Sequence, residues 1–216
     1  MSTMQMFPLF SIPFAKINLS DQIEQADIDA VLAYADNKEI LDKSVMNLKS
    51  TNSYVLNSGL SKNSKLKNLM KEHVQFFLHT VLGEQSAEVK ITQSWINVTP
   101  PGDAHHRHKH TNSIISGVLF FRVPSQSGKF VVEKPDYQLS SVRNFATAET
   151  NYNNDFYEFV PDDLELCLFP SHLIHYVTKN ESTFDRVSLS FNTFYTGEIN
   201  TDHNSGRNSL SYLYFE

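Results

Sequence analysis

Four of the chain's nine histidines (His105, His106, His108 and His110) fall within one six-residue stretch. Neutral imidazole is a common ligand for iron, zinc, nickel and copper. In an extended strand, alternate side chains face the same way, with roughly 6–7 Å between their Cα atoms. That pattern places His106, His108 and His110 on one face, and His105, Arg107 and Lys109 on the other. Two imidazoles at i and i+2 can converge on one ion. All three cannot while the strand stays extended, because His106 and His110 would stand roughly 13 Å apart. The stretch therefore offers one His-x-His pair, either His106/His108 or His108/His110, and a further ligand must come from elsewhere.

A second stretch, Leu168–Asn192, carries His172 and His175 and then an alternating run, Arg186-Val-Ser188-Leu-Ser190-Phe-Asn192. Arginine presents a planar fork that matches a carboxylate. Arg186 and Ser188 share a strand face, so one anion can meet both. A His-x-His pair, a distal histidine and an Arg-x-Ser pair together are what a mononuclear metal site with an anionic co-substrate needs.

These stretches need a frame. Residues 6–19 read as an extended opening strand, and Ser20-Asp21 as the cap of an amphipathic helix over about 21–36. Residues 37–62 read as loop with short strands. A second helix runs from about Ser64 to Leu82, with Leu66, Leu69, Met70, His73, Val74, Phe77, Leu78 and Val81 as its apolar stripe and Gly83 at its end. His73 and His79 belong to that helix and read as surface or packing residues. From Glu88 the period changes to two, and strands are expected over 88–98, 105–111, 113–123, 128–133, 164–169, 173–178 and 184–195. The long polar stretch 134–162 reads as a lid-like loop. Asn208–Glu216 alternates and reads as a last strand. The expected architecture is mainly β, with helices packed outside a β-sandwich or open barrel whose mouth holds the metal ligands. One domain spans 1–216: a strand and two supporting helices over 1–87, and the β core over 88–216.

Composition narrows the partners. The formal charge of −6 argues against a nucleic-acid surface. Pro8 and Pro13 break the N-terminal apolar run, which also lacks a basic start. No signal peptide or membrane span is therefore expected, and the cytoplasm is the default location. The single cysteine, Cys167, sits in the apolar run Leu164–Phe169 and reads as a buried thiol.

The phrases Ser94-Trp-Ile-Asn97, HKHTNSIISGV (108–118), LFPSHLIHYV (168–177) and RVSLSFN (186–192) resemble the iron(II)/2-oxoglutarate-dependent oxygenases of the double-stranded β-helix, or jelly-roll and cupin-like, class. The likeness is nearest to a subgroup from marine bacteria and their phages, and it covers about half of the chain. It implies Fe(II), 2-oxoglutarate and O2 as cofactors, hydroxylation of a small-molecule or peptide substrate, and succinate and CO2 as co-products. Carried over by position, His108 is the first ligand and His175 the distal one. Arg186 and Ser188 then hold the far carboxylate of 2-oxoglutarate, and Asn97 can reach substrate or co-substrate. Trp95 reads as core, and Ser116 as a tight-packing residue beside Gly117. No nucleic-acid or membrane partner is implied, and a homodimer is the assembly to test for.

The sequence departs from the family where a carboxylate is usual: that position is His110. His110 ligates, giving a three-histidine site, or it stands off, or Asp103 substitutes; the first reading is preferred. His172 is the alternative to His175. Two other functions are open at this point. One is a cupin-like three-histidine dioxygenase that works without 2-oxoglutarate. The other is a non-catalytic jelly-roll binding or structural protein.

Overall fold

The computed structural model describes residues 4–7, 11–60, 64–135, 148, 150, 153–199 and 210–213. In chain order the elements are β1 (Ala15–Asn18), α1 (Gln25–Asp36), β2 (Leu41–Lys43), β3 (Leu48–Ser50), α2 (Leu66–Phe76), β4 (Glu88–Thr99), β5 (His105–His108), β6 (Ile115–Arg122), β7 (Phe130–Glu133), β8 (Phe156–Phe159), β9 (Glu165–Pro170), β10 (His175–Val177), β11 (Arg186–Ile199) and β12 (Leu210–Leu213). They form two antiparallel sheets. The larger runs β1-β9-β6-β11-β4-β3-β2, with β12 also on β11, and the smaller runs β5-β10-β7-β8. The fold is mainly β, a jelly roll with helices outside, as expected.

Strand alternation explains which face does what. On β11, Val187, Leu189 and Phe191 are fully buried on the outer face. They pack with Ile96 and Val98 of β4, Leu119 and Phe121 of β6, and Val31, Met70 and Val74 of the two helices. Burying side chains of this size contributes roughly 1.5–3 kcal/mol each, enough to hold the helices on the sheet. The intervening residues face the interior between the sheets. Ladder partners share a face, so Arg186 lies beside Thr99, Ser188 beside Asn97, and Ser190 beside Trp95. On the other side of β11, Ser190 pairs with Val118 and Asn192 with Ser116. A second apolar cluster (Val118, Phe120, Phe130, Cys167, Phe169 and neighbours) fills the closed end of the interior.

Several boundaries differ from the sequence expectation. Residues 19–23 form a turn in which Leu19 O accepts from Gln22 N and Ile23 N, so α1 begins only at Gln25, with no side-chain cap. The second helix ends its regular part at Phe76 and continues as a π-helical turn over Phe77–Val81. Residues 37–62 do contain short strands, β2 and β3, which extend the large sheet. Of the lid expected over 134–162, residues 136–147, 149, 151 and 152 lie outside the described residues. Its far end carries a strand, β8, that alternation did not suggest: the sequence Phe-Tyr-Glu-Phe is largely exposed and pairs only with β7.

Candidate metal centre

The small sheet delivers the histidines. His175 opens β10 and pairs directly with His108, the last residue of β5. The chain then leaves the strand, and His110 follows with its backbone N–H donating to Ser171 O at 3.0 Å. Leaving the strand is what lets His110 swing back. The extended-strand geometry that separates i+2 side chains no longer holds after His108. His108, His110 and His175 therefore converge, with one ligand nitrogen from each lying within 4.8 Å of the others.

The protonation pattern suits a cation. His108 Nδ1 donates to His106 O at 2.7 Å, and His175 Nδ1 to Leu173 O at 2.9 Å. His110 Nδ1 faces Asn192 Oδ1 at 2.6 Å and Ser116 Oγ at 2.7 Å. With each Nδ1–H spoken for, each Nε2 presents a lone pair. His108 Nε2 and His110 Nε2 face each other at 3.1 Å. Two bare lone pairs at that distance repel unless a cation stands between them. Metal–nitrogen bonds of about 2.1 Å meeting at a right angle would set the two nitrogens about 3.0 Å apart. Burial, with neighbouring histidines adding to it, pulls His175 far below the usual imidazole value and lowers His110 to about 4. Burial also lowers His108. The three imidazoles are thus neutral, the form that binds metal.

His105, His106 and His108 form a second group whose ligand atoms lie within 4.8 Å of one another, sharing His108 with the first. His172 is exposed. Asp103 belongs to neither group of clustered ligand residues. His73 and His79 sit on α2 and the π-helical turn after it, where His79 Nε2 meets Ala87 O at 3.0 Å. His105 departs from simple alternation. A β-bulge between the His175 and Val177 pairings brings its ring onto that of His108, with centroids 4.8 Å apart and planes nearly parallel. It lines the cavity beside His108, His110 and His175.

That cavity lies between the two sheets. Trp95, Ser188, Ser190, Phe169 and the histidines line it, and no carboxylate does. Arg186 lies one pleat beyond Ser188 and is 2% exposed. Its guanidinium donates to Ser127 O at 2.6 Å and Thr99 Oγ1 at 3.0 Å. It joins no ion pair among the described residues. Burial without an acid lowers it to about 10, so it stays charged at neutral pH. A buried cation without a counter-charge is expensive and fits a site built for an anion. Trp95 is buried, as expected, and also lines the cavity, while Asn97, on the same face, donates through Nδ2 to Ser190 Oγ at 2.9 Å and so positions that hydroxyl.

Residues 93–192 match the model of the family described as "Putative 2OG-Fe(II) oxygenase". The match spans a little under half of the chain. The solved structures agree in fold. A non-heme alpha-ketoglutarate-dependent carbocyclase, SnoK, from nogalamycin biosynthesis superposes with a TM-score of 0.61 at 12% identity, covering 95% of this chain and 90% of its own. A prolyl-4-hydroxylase from Pseudomonas putida gives 0.55 at 14% identity, over 84% and 93%. The epimerase SnoN, solved with Fe3+ and alpha-ketoglutarate, gives 0.60 at 9% identity, over 95% and 92%. No curated protein matches the chain in sequence. The matched family is named for Fe(II) and 2-oxoglutarate, and the residues described above fit both: three convergent imidazoles that could hold a metal ion, and a buried guanidinium with no ion pair among the described residues.

Sequence reading passed over two residues that complete the centre. Asn192 was quoted only as the end of the alternating run, although that same alternation puts it on the face of Arg186 and Ser188. Ser116 read as a packing residue, yet its hydroxyl joins His110, Ser171 and Asn192 in one network.

Proposed function

We propose that this oxygenase binds Fe(II) through Nε2 of His108, His110 and His175, and that Arg186, helped by Ser188, holds the far carboxylate of 2-oxoglutarate. The substrate is a small molecule or peptide that enters the cavity between the sheets. The observation that carries the reading is the convergence of three Nε2 lone pairs whose Nδ1 atoms are all occupied.

With iron and 2-oxoglutarate bound, the site would spend O2 on decarboxylating the keto acid to succinate and CO2 and on hydroxylating a substrate C–H bond. The chain's own residues prepare this. Leu173 O, His106 O and Asn192 Oδ1 fix the three rings and their tautomers. Asn97 fixes Ser190, which lines the cavity. Phe130 stacks on His175 with centroids 5.6 Å apart, and Phe169 meets it edge-on at 4.7 Å. These rings keep water from the inner side of the cluster.

His110 in place of a carboxylate makes the metal site more positive by one charge, which favours an anionic ligand set. A three-histidine dioxygenase without 2-oxoglutarate would leave Arg186 buried and without a counter-charge, so the 2-oxoglutarate reading is preferred. The test is succinate release from 2-oxoglutarate. Release that requires Fe(II), O2 and Arg186 supports the reading, and its absence from protein that binds iron overturns it.

A further inference from the structure

Two cations without acidic partners among the described residues lie near the histidine cluster. Arg186 is one. The other is Lys49, on β3, which lies opposite Asn97 in the β3–β4 ladder. Its ammonium rests over the indole of Trp95, 4.5 Å from the ring centroid. Trp95 lines the cavity, and its ring stands 5.7 Å from that of His110. Lys49 is close enough for its charge to act on His110. Asp42 faces it across the β2–β3 hairpin but is exposed, and no ion pair joins them among the described residues.

The indole face recovers about 0.5–2 kcal/mol of what it costs to take an ammonium partly out of water. The rest calls for an anion. Among the described residues, no aspartate or glutamate lines the cavity to supply one. Arg186 suffices for the co-substrate's far carboxylate at the inner end, which leaves Lys49 free at the other side of the metal ligands.

Resting on the metal and co-substrate assignment proposed above, we infer that the substrate of this oxygenase carries a carboxylate or phosphate and that Lys49 holds this anionic group beside Trp95. Lys49 is then a specificity-determining residue, separate from the group that anchors 2-oxoglutarate.

The test uses the full chain loaded with Mn(II) and saturated with 2-oxoglutarate, titrated with inorganic phosphate as the probe anion. Phosphorus relaxation reports phosphate held near the paramagnetic ion. The wild type should show saturable enhancement, and Lys49→Gln should weaken phosphate binding about tenfold. Lys49→Arg should recover most of it, and Lys43→Gln, an exposed lysine of the same hairpin, should leave it unchanged. Affinity for 2-oxoglutarate should not change in Lys49→Gln. Equal enhancement in wild type and Lys49→Gln would overturn the inference. So would phosphate displacing 2-oxoglutarate, or Lys49→Gln weakening 2-oxoglutarate as Arg186→Ala does, because Lys49 would then belong to the co-substrate end. If Mn(II) does not bind at all, the metal assignment itself falls, and this inference falls with it.

Discussion

His110 donates its Nδ1–H to Asn192 Oδ1 at 2.6 Å, and Asn192 sits on the same strand and the same face as Arg186. One strand, β11, therefore orients the His110 ring at one end and carries the buried guanidinium of Arg186 at the other. In the proposed site, the spacing between metal and co-substrate would be set by the pleat of that strand rather than by loops.

Asn192→Ala should leave the fold intact and weaken Fe(II) or Mn(II) binding by about 10–100-fold, because the His110 ring loses its anchor. Isothermal titration with far-UV circular dichroism as the fold control reads both. Unchanged affinity would mean that His110 does not ligate.

Removing ligands directly should cost more. His108→Ala, His110→Ala and His175→Ala should each bind metal more weakly than Asn192→Ala does, whereas His172→Ala should behave as wild type. His172 is exposed and His175 is 5% exposed, so the pair separates a surface residue from an interior one three positions away.

The metal-free protein should lose stability on mild acidification. A histidine whose folded pKa lies below its unfolded value stays neutral in the fold while the unfolded chain takes up the proton. Its contribution is therefore present above about 6.5 and is lost as pH falls towards the folded value. His110, at about 4 in the fold, should cost about 1 kcal/mol between pH 7 and pH 5.5. His110→Gln should show a correspondingly shallower drop in urea denaturation. A parallel pH dependence in the two proteins would contradict this.

Gly117 tests the outer packing. A Cβ added there would overlap the ring of Phe191. Gly117→Ala should destabilise the fold by about 1–3 kcal/mol without touching a ligand, seen as a lower thermal midpoint. Cys167 tests the interior. Burial pushes its thiol well above the usual range. A thiol reagent at pH 8 should react with it only once the protein is unfolded; fast labelling of the native protein would contradict its placement.

Much of this was legible in the sequence because β11 alternates over Arg186–Asn192, so the polar residues Arg186, Ser188, Ser190 and Asn192 announce an interior face while Val187, Leu189 and Phe191 announce a helix-covered one. Strand geometry left His106 open beside His108 and His172 beside His175, and it was the family resemblance that pointed to His108 and His175. The role of His110 could not be read from strand geometry, since it depends on the chain leaving the strand after His108. Nor could that of His105, whose bulge reverses the face that alternation assigns. Lys49 carried no signal, because its place over Trp95 comes from the pairing of β3 with β4, a contact between segments far apart in sequence. Strand β8 was hidden by its exposure, which leaves no apolar period to detect.

The most direct measurement is an anaerobic titration of the protein with Fe(II) and then 2-oxoglutarate, followed by visible absorption, in wild type and Arg186→Ala. The wild type should show a weak charge-transfer band that requires both components, and the variant should need a much higher 2-oxoglutarate concentration to reach it. Tight iron binding with no such band in the wild type, or a band indifferent to Arg186, would contradict the proposed site.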